Sequence, residues 1–118
     1  MNKWTGLGRL TRDIDLRHTS NGTALGRFTL AVPRMKKEDG SDFISCKVWG
    51  NRAEVMEKYI KKGHKVCVAG RIETGSYEKD GHTIYTTEIV VEDFDFIEPK
   101  TTDNDGFAPV DDSYDLPY

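Results

Sequence analysis

Apolar and polar residues alternate along most of this chain at a period of two, the spacing that sends successive side chains to opposite faces of a strand. Trp4–Leu10 opens the pattern, with glycines at 6 and 8 that tolerate a bend or a close crossing, and the strand is expected to continue through Ile14 and Leu16. Ser20-Asn21-Gly22 reads as a turn, because Asn and Gly accept positive φ. In a second strand, Ala24–Val32, Leu25, Arg27, Thr29 and Ala31 alternate with Gly26, Phe28, Leu30 and Val32, and Pro33 ends it. A polar loop, Arg34–Asp42, leads to a third strand, Phe43–Trp49. The period then changes. Asn51–Lys62 predicts the chain's one helix, with Asn51 as cap, Ala53, Val55, Met56, Tyr59 and Ile60 as its apolar stripe, and Gly63 as terminator. A fourth strand covers Val66–Ile72, a hairpin tip Ser76–His82, and a last strand Ile84–Val91, extended by Phe94, Phe96 and Ile97. Beyond Pro99 the pattern collapses into Thr, Asp, Asn, Gly and Pro, and that tail is expected to be disordered.

Three strands, a helix and two more strands is the order of an OB-fold, an all-β, five-stranded Greek-key barrel whose helix lies between strands three and four. The division that follows is an OB domain over 1–99 and a disordered acidic tail over 100–118. The third strand carries the most informative alternation. Ile44, Cys46 and Val48 share one face; Phe43, Ser45, Lys47 and Trp49 share the other. Two rings, a hydroxyl and a cation on one face suit stacked bases and a phosphate. The same rings could instead pack into a second core layer. In the barrel reading, this face belongs to the open ligand side of strands two and three.

Net charge, −3 over 118 residues, hides a strong asymmetry. Residues 1–72 hold 15 Lys or Arg against 7 Asp or Glu, residues 73–97 hold 1 against 7, and residues 98–118 hold 1 against 6. A basic first part can follow a polyanion, and an acidic end can meet basic protein surfaces or shield the basic face. No apolar run approaches the roughly 20 residues of a membrane-spanning helix, and nothing after Lys3 reads as a secretory signal. Cys46 and Cys67 lie in apolar runs without metal-ligand spacing, which fits reduced cysteines in a cytoplasmic protein. His18, His64 and His82 are too scattered for a zinc site. No nucleophile elbow or phosphate loop is present in the sequence, so neither an enzyme nor a cofactor is expected.

The residues also resemble a known family. Asn2-Lys3 with Leu7-Gly8-Arg9-Leu10-Thr11 and Asp13 is similar to the start of bacterial and phage single-stranded DNA-binding proteins. So are Thr23-Ala24, Phe28–Val32, Asp42-Phe43-Ile44, Val48-Trp49, Ala53-Glu54, Tyr59, Lys61-Lys62-Gly63, Gly70-Arg71, Tyr77, Gly81, Tyr85, Thr87-Glu88 and Phe96. The resemblance covers about residues 1–99, and Asp111-Asp112-Ser113-Tyr114-Asp115-Leu116-Pro117-Tyr118 resembles the family's acidic, partner-docking tip. It implies sequence-tolerant binding and protection of single-stranded DNA in replication, recombination and repair, with a homotetramer in the nucleoid-associated cytoplasm.

Carried over, Phe43, Trp49 and Tyr77 match base-stacking positions. Arg34, Lys36, Lys47, Lys61, Lys62 and Arg71 are phosphate candidates from charge and placement. Asp111, Asp112, Asp115, Leu116, Pro117 and Tyr118 are the partner-binding set; the proline-stiffened end offers Leu116 and Tyr118 to an apolar pocket. Four departures stand out: Met35 and Lys36 occupy the loop where a further ring is common, Trp4 replaces an aliphatic residue, the Lys100–Val110 linker is short, and Tyr118 stands where phenylalanine is usual. The short linker and the terminal tyrosine point to a phage, mobile-element or accessory member. An RNA-directed OB module and a pure protein-interaction barrel are the competing readings.

Overall fold

The computed structural model of the chain describes residues 1–97. The expected tail, its tip residues and the domain boundary at 99 lie outside the described residues. The strands are β1 (Trp4–Leu10), β2 (Asp15–His18), β3 (Ala24–Pro33), β4 (Ser41–Trp49), β5 (Lys65–Lys79) and β6 (His82–Ile97), with helix α1 (Asn51–Tyr59) between β4 and β5. Their order in the sheet is β1-β5-β6-β4-β3-β2, and an extra β1–β3 pairing at Arg9↔Ala31 and Leu10↔Leu30 closes the ring. All neighbours are antiparallel except β4 and β6, which run parallel through Cys46↔Ile89 and Lys47↔Val90. Closure removes most of the exposed sheet edge. The architecture is the OB barrel expected from the element order.

Three local expectations are corrected. The first strand does not run on through Leu16: it breaks after Leu10, and β2 pairs separately with β3 from Asp15↔Arg27 to His18↔Ala24. Leu10 and Ile14, which share parity, are both buried, one on each side of the break. The backbone there is held by Thr11 N–H donating to the Thr29 carbonyl at 3.1 Å and by Asp13 Oδ1 accepting the Lys62 N–H at 2.8 Å. Secondly, Asn51 does not cap α1. Gly50, at φ 73°, takes the cap position and offers no side chain, and the helix ends at Tyr59 rather than Lys62. Thirdly, the hairpin tip is only Asp80-Gly81, with φ of 52° and 80°, the positive pair that a two-residue type I′ turn requires. Both strands therefore run further than their hydrophobic pattern indicates. The β5–β6 ladder stays in register from Ile72↔Ile89 to Lys79↔His82 while most side chains are exposed. Sixteen residues of β6 span roughly 53 Å at strand rise, close to the longest molecular dimension of 57 Å.

The core explains why α1 sits where it does. Ala53 and Met56 on the helix, with Ile60 just past its end, join Leu10, Ile14, Phe28, Leu30, Cys46, Val48, Val66, Val68, Ile89 and Val91. The helix packs on β2, β3 and β4 and plugs one end of the barrel. At the other side of β1, Asn2 anchors the N-terminus to β5: its side chain donates to the Ile72 carbonyl at 2.8 Å and accepts the Ile72 N–H at 2.9 Å.

Candidate nucleic-acid interface

Strand alternation on β4 sorts its side chains as the sequence pattern requires. Cys46 and Val48 are buried and Ile44 is half-buried, whereas Phe43 and Trp49 are 67% and 39% exposed. The rings thus belong to the outer face, not to a second core layer. Pairing with β3 sets Ala31 opposite Phe43, Arg27 opposite Lys47 and Leu25 opposite Trp49. The parallel β4–β6 contact and the Glu73↔Glu88 cross-strand pair then bring two carboxylates beside Lys47.

Three open clefts, which share Ser45 and Glu88, line this face. One, of about 420 Å³, is bounded by Arg12, Asp13, Asp15, Arg27 and Thr29. A second, of about 310 Å³, lies among Trp4, Phe43, Ile44, Ile72 and Ile89. The third, of about 480 Å³, reaches out to Arg27, Tyr77, Thr86 and Thr87. The combination of flat rings, apolar wall and charged floor is that of a surface for planar, charged ligands. Tyr77 stands on the protruding β5–β6 arm, 52% exposed.

Arg27 and Glu88, which line the clefts, belong to an ion-pair network that continues into Lys47, Glu73 and Arg71. Lys47 Nζ lies 2.6 Å from Glu73 Oε1 and 3.6 Å from Glu88 Oε1, with its side chain only 13% exposed, and it stands 5.8 Å from the Trp49 ring centroid. Arg27 Nε donates to Glu88 Oε2 at 3.1 Å. Arg71 meets Glu73 at 3.4 Å and Glu92 at 4.0 Å. The hydrogen bond from Lys47 and its charge hold the Glu73 carboxyl below its ordinary range. Burial, then the nearby Glu88 charge, pushes the Cys46 thiol up to about 12.

The candidates named from sequence divide into groups. Phe43 and Tyr77 are exposed and each lines a cleft, and Trp49 is exposed further along β4 but lines none of the three. Lys47 and Arg71 lie on the sheet beside them, but both are engaged by carboxylates. Arg34 is on the loop after β3, held by Asp42 at 2.7 Å, and its hydrogen bond keeps the Asp42 carboxyl below the usual range. Lys36 is exposed in the same loop. Lys61 and Lys62 sit in the α1–β5 turn and line none of these clefts; Lys61 Nζ donates to the Glu57 carbonyl at 2.7 Å.

Sequence reasoning missed Arg27, Arg12 and Trp4 as lining residues. Arg27 shares its outward parity with Thr29 and Ala31, so pairing β3 against β4 in register would have found it. Trp4 is explained by Gly6: a Cβ there would collide with the indole, so the ring lies flat over the glycine and along the cleft wall.

A closed barrel plugged by one helix, with rings exposed over an open strand face, defines a ligand-binding OB module. Residues 1–97 match the Single-strand binding protein family, and the chain belongs to that family. A single-stranded DNA-binding protein of Clostridium perfringens is 53% identical over 100 residues, covering 83% of this chain and 67% of that protein. One from Halalkalibacterium halodurans is 42% identical over 116 residues, covering 94% and 69%. Single-stranded DNA-binding protein 3 of Clostridium acetobutylicum is 46% identical over 113 residues, covering 92% and 78%.

Proposed function

We propose that this chain binds single-stranded DNA with little sequence preference and protects it during replication, recombination and repair. The observation that carries the reading is the outward pair Phe43 and Trp49 on β4, beside clefts that extend to Tyr77. Every base has a π-face, so stacking on such rings tolerates any sequence, at about 1–3 kcal/mol per base. Bases inside a duplex are already stacked on both sides and have no free face to offer. Phosphates follow the cations: Lys47, Arg71 and Arg34 border the rings, Lys36 extends the rim, and Lys61 and Lys62 meet a strand that continues around the barrel. The chemistry is binding alone and needs no cofactor. Homotetramer assembly, partner recruitment through Asp111, Asp112, Asp115, Leu116, Pro117 and Tyr118, and a nucleoid-associated cytoplasmic location complete the reading; the family resemblance and the tail's composition support them.

The test is a fluorescence titration with matched single-stranded DNA, single-stranded RNA and duplex oligonucleotides at two salt concentrations. Single-stranded DNA should quench tryptophan emission and bind more tightly than duplex, and affinity should fall as salt rises. Trp49→Ala should weaken binding by about 1–3 kcal/mol per lost stack while the melting curve stays close to the parent's. Equal affinity for duplex, or no quenching, would refute the reading; tighter RNA binding would redirect it to an RNA module.

A further inference from the structure

Arg27 and Lys47 are direct cross-strand partners on the outer face of β3 and β4, and Glu73 and Glu88 are direct cross-strand partners on β5 and β6. Like charges set opposite each other repel, so each pair is tolerable only because the other lies alongside. The Glu88 carboxylate spans the two cations: Oε2 takes Arg27 at 3.1 Å and Oε1 faces Lys47 at 3.6 Å. Glu73 completes the set, with Oε1 2.6 Å from Lys47 and Oε2 3.4 Å from Arg71. A two-oxygen anion bridging two adjacent cations is the arrangement a backbone phosphate would adopt at this spot. Glu88 also lines all three clefts, at their junction, with its side chain 19% exposed.

We infer that Glu88, assisted by Glu73, is an internal phosphate mimic that occupies the floor of the groove in the free protein. The inference rests on the single-strand reading above and deepens it. A strand reaching this floor must exchange a carboxylate for its phosphate at Arg27 and Lys47. Two consequences follow. The free protein carries little uncompensated positive charge there, so indifferent polyanions gain little from it. The strand's own phosphates displace fewer counterions from the protein–DNA pair than the number of groove cations implies, because the released partner is a tethered carboxylate.

The experiment compares wild type, Glu88→Gln and Glu73→Gln in binding to a labelled oligothymidylate from 50 to 200 mM NaCl, with melting curves as the fold control. Both glutamines keep the shape and remove the anion. Binding should tighten about 3–10-fold at 50 mM salt, and the slope of log affinity against log salt should steepen by about 0.7 for each cation set free. For one cation, the advantage should shrink about 2.6-fold across that salt range. Glu73, being the more exposed, keeps the test valid if Glu88→Gln fails to fold. Wild-type binding with both folded variants unchanged or weaker, at unchanged slope, would show that the carboxylates merely position the cations, and would overturn the inference alone. Wild type that fails to bind single strands would overturn the parent reading and this one with it.

Discussion

Cys46 shows how far one side chain can be read. It lies on the inner face of β4, 1% exposed, with its thiol pushed up to about 12 from an ordinary 9.0. Thiolate is the reactive form, so the native protein should not label at this position at pH 8, and labelling should appear only on unfolding. The sign of the pH effect follows from linkage. The folded state holds the proton more tightly than the unfolded chain, so this stabilising contribution is complete below pH about 9 and is lost as pH climbs toward 12. The loss is at most about 1.4 kcal/mol per pH unit. Urea denaturation between pH 8 and pH 10.5 should show a steeper decline for wild type than for Cys46→Ala; parallel declines would mean the thiol ionises freely in the fold. Alternation put Cys46 on the face opposite Phe43 and Trp49, and the barrel reading, not alternation, made the ring face the outer one. Neither could reveal that Lys47 is bound by Glu73 and Glu88, because those partners arrive from strands far along the chain whose register the local pattern does not encode.

Individual strands were legible wherever one face is buried, as in β3 and β4, because the apolar period then carries the signal. The ends were not. Outside the barrel, the β5–β6 arm buries almost nothing, so its pairing is held by the backbone ladder and the Asp80-Gly81 turn, and its apolar side chains Tyr77, Ile84 and Tyr85 stay exposed. The break between β1 and β2 was hidden for the converse reason: Leu10 and Ile14 are both buried on either side of a corner, which reads like one continuous strand. Gly70 marks another such place. It follows the irregularity between Ala69 and Gly70, and a Cβ there would run into the Val90 carbonyl oxygen. Gly70→Ala should therefore shift backbone in the barrel wall and destabilise by about 1–3 kcal/mol. Gly75→Ala provides the contrast on the exposed arm, where the nearest atom is Thr86 Oγ1 at 3.3 Å, and should change stability by less than about 0.5 kcal/mol. Thermal melts of the two variants decide it; equal losses would locate the strain elsewhere.

At the scale of the whole molecule, ring closure leaves part of β1 open. β1 pairs with β5 from Trp4↔Gly70 to Arg9↔Lys65 but meets β3 only at Arg9 and Leu10, so the Trp4–Gly8 edge has a strand on one side alone among the described residues. An open edge with unpaired backbone groups is a template for another chain. Here it comes with exposed apolar side chains, Leu7 at 43% on the strand itself and Ile72, Phe96 and Ile97 on β5 and β6. Such a surface favours burial against a second copy, in line with the proposed homotetramer. Sedimentation of the full chain at micromolar concentration should then give four times the 13.4 kDa chain mass. Leu7→Glu, which sets a charge on the edge strand and leaves the buried core untouched, should move the distribution toward smaller species while each barrel still melts cooperatively. Tetramers that withstand Leu7→Glu would show that the copies meet elsewhere, and a single-chain mass for wild type would remove the assembly from the proposal. Single-strand binding by each barrel would survive either result, because Phe43, Trp49 and Tyr77 all belong to one chain.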